Sequence, residues 1–188
     1  MTKVAIWCRH EGDNIIGIGN EIPWNISSDA RFFLDIIKNQ NVVAGRLTYE
    51  SFSGHTLPDC QIFVVTKNPD YKVSDKKNHF PVRDIRDFKD FEEDLYIAGG
   101  AEIYKAFMSG GPKLMPDIVI DCLYKGALNP EIQGEIKEIT SCIEILKTKY
   151  FKLADEAEKD NVVRSVYLKR GDFVDQAVLK SILLQLND

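Results

Sequence analysis

The sequence is poor in the residues that build metal centres and disulfide frameworks. Its four cysteines, Cys8, Cys60, Cys122 and Cys142, are scattered over 188 residues without a Cys-x-x-Cys pair, and none of the three histidines completes a zinc set. No metal site is expected, and the cysteines read as buried or free thiols. Long apolar runs are missing too. Nothing approaches the ~18 residues needed to span a bilayer, and the start, Met1 to Cys8, lacks the hydrophobic region of a signal peptide. The expectation is a cytoplasmic protein with no membrane contact. Nor is there an excess of positive charge: 24 Lys and Arg against 29 Asp and Glu leave a net charge of -5, which gives no reason to expect a phosphate backbone as partner. No internal repeat or low-complexity tract is present. What the chain does have is a 44% hydrophobic content, enough for the core of one compact domain.

That apolar content is arranged in short runs separated by turn residues. Val4 to Trp7 reads as a buried strand entering a polar loop, Arg9 to Asn14, with irregular chain through Trp24. Ser27 or Ser28 can cap a helix whose apolar positions Phe32, Phe33, Ile36 and Ile37 recur at helical spacing. A strand at Asn41 to Ala44 breaks at Gly45 before a short helix, Thr48 to Phe52, and Ile62 to Thr66 is an apolar strand of the kind buried on both faces. A surface loop with at most a short strand covers Lys67 to Pro81, and Asp87 to Asp94 reads as a short helix. Tyr96 to Ala98 is a strand that ends at Gly99-Gly100 before a helix from Ala101 to Met108. Ile118 to Leu123, Ser141 to Tyr150 and Asn161 to Lys169 read as strands, and Phe173 to Leu186 as a helix with Val174, Val178, Ile182 and Leu186 on one stripe. Strands alternating with helices predict an α/β fold with parallel connections.

Three segments carry chemistry. Gly17-Ile18-Gly19-Asn20-Glu21-Ile22 is half of a dinucleotide fingerprint, but Ile22 stands where the third glycine would fall, so that reading fails. In the same segment Trp24 follows Pro23, and Asp29 follows five residues later at the start of the amphipathic helix. An acid there is favourable to the helix dipole whatever else it does. Beside Ala30, Phe32 and Phe33 it is also a candidate to bind a protonated or amidine-like heterocycle in an apolar pocket. The second segment, Gly45-Arg46-Leu47-Thr48, turns from strand to helix and presents backbone N–H groups with two side-chain donors to an anion. The third, Gly99-Gly100-Ala101-Glu102-Ile103-Tyr104, repeats that turn without side chains in the way. Either glycine turn alone is ordinary turn chemistry. Together, two anion-ready helix starts suit a pyrophosphate-containing ligand.

In order and spacing, these segments resemble the dihydrofolate reductase family over about Lys3 to Arg170. The resemblance implies a mixed, mainly parallel eight-stranded sheet flanked by helices, here residues 1–170, with residues 171–188 as an extra C-terminal helical extension. It implies NADPH-dependent hydride transfer to C6 of dihydrofolate. Asp29 matches the family's pocket acid, Trp24 the tryptophan that orders a water near it, and Ile22 the mobile loop that closes over the nicotinamide. Ala30, Phe33, Phe52 and Leu57 match the pterin and benzoyl walls, with Ala98 where a larger aliphatic is usual. Ile16 and Gly17 match backbone contacts to the nicotinamide, near which Tyr104 is expected. Gly45, Leu47, Thr48, Gly99, Gly100, Ala101, Glu102 and Ile103 belong to the turns that frame the pyrophosphate. Arg46 and Lys67, the latter after Thr66 at a strand end, match positions that favour a 2′-phosphate.

Two departures stand out. Cys60 falls where the family has an arginine that clamps the glutamate tail of folate, a contact worth ~1.5–3 kcal/mol unless another base such as Lys38 replaces it. Asp121 falls where the family usually has a threonine hydrogen-bonded to the pocket acid, which would set two carboxylates together and raise one pKa, provided the register holds. Which of Ile6, Trp7 and Cys8 faces the pocket is left open by the sequence. The alternatives to a dihydrofolate reductase are a related reductase acting on another pterin or a pyrimidine, which the missing clamp favours, and a noncatalytic relative. Trp24, Asp29 and both phosphate turns speak against these. The C-terminal stripe suits either a cover for the enzyme's own surface, in a monomer, or a dimer contact.

Overall fold

In the computed structural model, residues 1–52, 59–73, 77–171 and 173–186 are described. The chain opens with β1 (Lys3–His10), three residues longer than the sequence reads at its polar end, because Cys8, Arg9 and His10 stay paired with β7 (Ile118–Tyr124). β1 is central. On one side it pairs in parallel with β6 (Leu95–Ile97), and β3 (Asn41–Gly45), β4 (Gln61–Val65) and β5 (His79–Val82) follow outward, all parallel. On the other side β7 is parallel to β1, β10 (Val162–Lys169) is antiparallel to β7, and β9 (Tyr150–Asp155) is antiparallel to β10. The product is the mixed, mainly parallel eight-stranded sheet, in the order β5-β4-β3-β6-β1-β7-β10-β9.

Side-chain alternation along these strands sorts the core into two layers. Val4 and Ile6 of β1, with Ile118, Ile120 and Cys122 of β7, pack beneath α1 (Ser27–Ile37) and α5 (Gln176–Leu186). Ala5 and Trp7 of β1, with Val119 of β7, pack beneath α3 (Ala101–Ser109) and α4 (Thr140–Lys149). The short α2 (Arg46–Ser51) follows β3. The stripe of α5 is covered by its own chain: Leu179, Ile182 and Leu186 are buried in the same layer as Phe32, Ile36 and Ile37 of α1, each worth roughly 1.5–3 kcal/mol of burial. Val174 is buried there as well but lies before the helix begins.

Several local readings are corrected. The chain after Asn14 is not irregular: β2 (Ile15–Ile18) pairs with β8 (Ile136–Glu138) in a separate two-stranded sheet. Neither Ser27 nor Ser28 caps α1; Ile26 holds the cap position without a side-chain bond, and Ser28 Oγ donates to Asp160 instead. Residues 87–94 form no helix beyond a 3₁₀ turn, Ile85–Phe88, whose start is fixed by Asp84 accepting from the Arg86 N–H. The largest change is Ser141 to Tyr150, where Tyr150 is the first residue of β9 and the rest, up to Lys149, belongs to the helix α4 rather than to a strand. Its buried residues Cys142, Ile143 and Leu146 follow helical spacing and pack under α3, and the β-branched content that suggests a strand is overridden by that contact. No helix among the described residues is long and apolar enough to cross a membrane.

The fold brings the two glycine turns together at the strand ends. Gly45 N–H donates to the Gly99 carbonyl at 2.7 Å, and Ala98 N–H to Val43 at 2.9 Å. Gly99 has φ +102°, and a Cβ on it would lie 2.9 Å from the Tyr104 hydroxyl, which itself donates to the Ile6 carbonyl at 2.5 Å. Both the backbone conformation and the space therefore require glycine. Gly99→Ala is expected to lose roughly 2–4 kcal/mol of stability in urea unfolding, from the strained φ and the displaced Tyr104 together.

Candidate active site

A cavity of about 540 Å³ opens at the ends of β1, β3, β6 and β7, between α1 and the β2 segment. Asp29 reaches it from the first turn of α1, with 16% of its side chain exposed. The wall is apolar: Ile6, Ile26, Phe32, Phe33, Leu34 and Phe52 line it, the Phe33 and Phe52 rings 5.9 Å apart. Trp24 lies at its edge against Tyr124, with ring centroids 5.0 Å apart. Ile22 is 60% exposed at the open side. Ile16 and Gly17 are held over the cavity by the pairing of β2 with β8, which also brings Lys137 to the wall.

Burial pushes the Asp29 carboxyl above the usual carboxylate range, against the opposing pull of Arg164 and of hydrogen bonds from the Cys8 and Cys122 thiols. The same burial, with Asp29 as neighbour, drives both thiols well above their ordinary value, so they stay protonated. A thiol that stays protonated is a weak donor to the carboxylate and a poor nucleophile.

Asp121 does not join Asp29. In the parallel register of β1 and β7 it stands opposite Trp7, on the face of the sheet away from α1. It accepts from Trp7 Nε1 at 2.7 Å and from Arg9 Nε and Nη2 at 2.8 Å each, with 3% of its side chain exposed. The carboxylate pair expected from the sequence is therefore absent, and Asp121 is not a pocket residue. One position along, Cys122 occupies the place beside Asp29, with Cys8 opposite it on β1. This also settles the β1 ambiguity: Ile6 and Cys8 point toward α1, whereas Trp7 belongs to the α3 side and touches only the cavity margin.

Of the other residues expected at the site, Ala30, Leu47, Thr48, Ala98, Gly100, Ala101 and Tyr104 line the cavity. Gly45, Gly99 and Ile103 lie behind these as backbone and packing, Ile103 being the side chain that a Cβ on Gly45 would meet at 3.1 Å. The Glu102 side chain points to solvent at 92% exposure, leaving its backbone N–H as the part near the turn. Thr66 is buried at the end of β4, Lys67 is exposed beyond it, and Arg46 is held by Glu50 at 3.0 Å, outside the cavity proper. Leu57 lies outside the described residues. The sequence reading missed Cys122 and Arg164 as neighbours of Asp29. The alternation of β7 and β10 could have flagged them, but only with the β1 register in hand.

The turns suit a pyrophosphate. Ile103 and Tyr104 N–H both bond the Gly100 carbonyl, so the N–H groups of Ala101 and Glu102 at the start of α3 are not used within the helix. A Cβ on Gly100 would come within 3.0 Å of Thr48 Oγ1 and fill the space between the turns. A mainly parallel sheet with two glycine turns side by side, next to an apolar cavity holding one buried carboxylate, fits the class of α/β enzymes that take a dinucleotide cofactor.

Comparison with known proteins narrows the class. The family model for dihydrofolate reductase matches residues 3–142. The dihydrofolate reductase of Enterococcus faecium is 31% identical over 136 residues, covering 70% of this chain and 74% of that protein. That of Bacillus subtilis is 28% identical over 125 residues, covering 66% and 68%. The solved structure of a dihydrofolate reductase from Enterococcus faecalis, complexed with NADP(H) and RAB-propyl, superposes with a TM-score of 0.69 at 20% identity, covering 90% of this chain and 96% of that one. The chain belongs to the dihydrofolate reductase family.

If the buried Asp29 carboxylate is what binds the substrate heterocycle, Asp29→Asn is expected to fold and to lose at least ~100-fold in kcat/KM near pH 7, with the deficit shrinking as the pH is lowered. Steady-state kinetics from pH 5 to 9 measure this, and parent-like turnover at pH 7 would remove Asp29 from the reaction.

Proposed function

We infer that the chain reduces 7,8-dihydrofolate to 5,6,7,8-tetrahydrofolate with NADPH as the reductant. The observation that carries this reading is the juxtaposition of the buried Asp29 carboxylate with the paired turns at Gly45 and Gly99-Gly100. When bound, NADPH supplies the hydride that goes to pterin C6.

The remaining roles fall to the chain's own groups. Asp29 accepts hydrogen bonds from the pterin amino group and ring N3–H, fixing the ring and favouring protonation at N5, and Trp24 holds a water beside it. Ala30, Phe33, Phe52 and Ala98 enclose the ring and its benzoyl extension and exclude bulk water, which strengthens the carboxylate's hold. The backbone of Ile16 and Gly17 would hold the nicotinamide, with Tyr104 and Ile22 as further lining residues at that end of the cavity. Thr48 and the N–H groups of Ala101 and Glu102 hold the pyrophosphate, and Arg46 and Lys67 the 2′-phosphate. Residues 1–170 are the catalytic domain in this reading, and residues 171–188 an extension that braces α1. The buried stripe of α5 is spent on its own chain, which favours its role as a cover over a dimer contact through that stripe. The cytoplasm is the fitting compartment for an enzyme that consumes a soluble reduced nicotinamide.

Two measurements test the reading. The parent should prefer NADPH to NADH by at least ~2 kcal/mol, about 30-fold in Kd by fluorescence quenching, and Arg46→Ala combined with Lys67→Ala should remove most of that gap. Equal affinities in the parent would overturn the 2′-phosphate assignment.

The second concerns the tail of the substrate. Cys60 is 5% exposed and packs in the sheet core, so it reaches no glutamate carboxylate, and Lys38 lies exposed at the far end of α1. NADPH oxidation should accordingly proceed with dihydrofolate, and dihydropteroate should retain kcat/KM within about tenfold of it, because a lost remote contact changes binding rather than chemistry. No pterin-dependent oxidation would overturn the activity, and a loss well beyond tenfold would show that another base serves as clamp.

A further inference from the structure

Behind Asp29 lies a charge that the reading above does not use. Arg164 of β10 stands opposite Cys122 in the β7–β10 register and is 3% exposed, its guanidinium 4.6 Å from the centre of the Phe32 ring. Nη1 donates to Glu156 Oε2 at 2.8 Å. Nη2 lies 4.0 Å from Asp29 Oδ1, an ion-pair distance too long for a hydrogen bond. Among the described residues, Nε and Nη2 have no hydrogen-bond partner. A guanidinium does not shed its proton, so Arg164 is a permanent buried charge with only one nitrogen bonded. Such a group is tolerated where neighbouring charges offset its desolvation, and here these are two carboxylates, one on either side.

We propose that Arg164 is a positioning residue for the pocket acid, an electrostatic backstop that holds Asp29 ionised and turned toward the cavity, with Glu156 setting how much of its charge Asp29 receives. The proposal rests on Asp29 being the group that grips the pterin. Arg164 does not line the cavity, so it acts through Asp29 and not on the substrate.

The surroundings leave Arg164 as the one cation in contact range of Asp29 among the described residues. Cys8 from β1 and Cys122 from β7 face the carboxylate as protonated thiols, and Tyr104 from α3 is a neutral phenol whose hydroxyl is committed to Ile6. Asp121 looks to the other side of β7, where Arg9 neutralises it. Asp160, in the β9–β10 connection, is bound by Ser28 Oγ at 2.6 Å. Burial pulls Asp29 toward the neutral acid, and Arg164 is the largest influence in the other direction. Its strength depends on Glu156, which competes for the same guanidinium.

The three-charge line predicts shifts of opposite sign from its two ends. Arg164→Met keeps the length of the side chain and removes the charge, so the Asp29 carboxyl should titrate at least about one pH unit higher. Glu156→Gln leaves Arg164 with Asp29 as its sole counter-ion, so the titration should move down. Arg164→Lys should return it most of the way toward the parent value. Carbon-13 NMR of aspartate-labelled full-length protein reads the titration directly, with the Asp29 resonance assigned by its loss in Asp29→Asn. The acid limb of kcat/KM for dihydrofolate should shift in the same directions, while NADPH affinity stays unchanged.

A merely structural role for Arg164 moves stability but gives no opposed pair of shifts. Should Arg164→Met fail to fold, Glu156→Gln decides alone: a downward shift supports the proposal, and no shift or an upward one overturns it. Unmoved titrations in both variants, with turnover lost in Asp29→Asn, overturn the role of Arg164 and leave the reading of Asp29 in place. Full turnover in Asp29→Asn overturns that reading, and the positioning role with it.

Discussion

The register of β1 on β7 is the constraint on which the site depends. Trp7 pairs with Asp121 and Cys8 with Cys122 in two adjacent parallel strands at the middle of the sheet. Because side chains alternate between faces, that single choice sends Ile6, Cys8 and Cys122 toward α1 and sends Trp7, Arg9 and Asp121 the other way. A slip of β7 by one residue would put a second carboxylate beside Asp29 and remove the Cys122 thiol from it. The Asp121 cluster pins the register: one carboxylate takes the indole N–H of Trp7 and a bidentate contact from Arg9, so a slip would strand a buried charge.

The two faces thus handle buried carboxylates in opposite ways. Asp121 is bonded by three donors, buried, and turned away from the cavity, so no ligand there reaches it. Asp29 receives only weak thiol donors and an arginine held beyond hydrogen-bond distance, so its accepting capacity is directed into the cavity. A site needs this asymmetry. A carboxylate fully satisfied by the protein cannot bind a ligand, and one wholly unpaired in an apolar wall would take up a proton.

The cofactor end follows a different logic, set by backbone rather than charge. The bond from Gly45 N–H to the Gly99 carbonyl draws two strand-to-helix turns side by side, and their lack of side chains keeps the space between them open. Tyr104 couples this end to the cavity beside Asp29, since its ring closes against Gly99 while its hydroxyl holds the Ile6 carbonyl of β1. The β2–β8 pair adds a cover anchored at Ile16 to Ile18, leaving Ile22 exposed at the cavity mouth.

Much of this was legible in the sequence. The glycines at 45, 99 and 100, the Pro23-Trp24 loop and Asp29 at the head of an amphipathic helix mark the site by local chemistry, and local chemistry is written in consecutive residues. The alternation of apolar runs and helical stripes likewise determined an α/β sheet with parallel connections. Ser141 to Tyr150 could not be read so, because its isoleucines suit a strand and only the packing of Cys142, Ile143 and Leu146 beneath α3 makes it a helix. The partners of Asp29 were beyond reach for a related reason. Cys8, Cys122 and Arg164 lie 21, 93 and 135 positions away along the chain, and whether each faces the pocket or the opposite side turns on strand register. Register is a property of two strands at once, so tertiary structure alone decided that Asp29 sits among thiols and an arginine and that Asp121 does not join it.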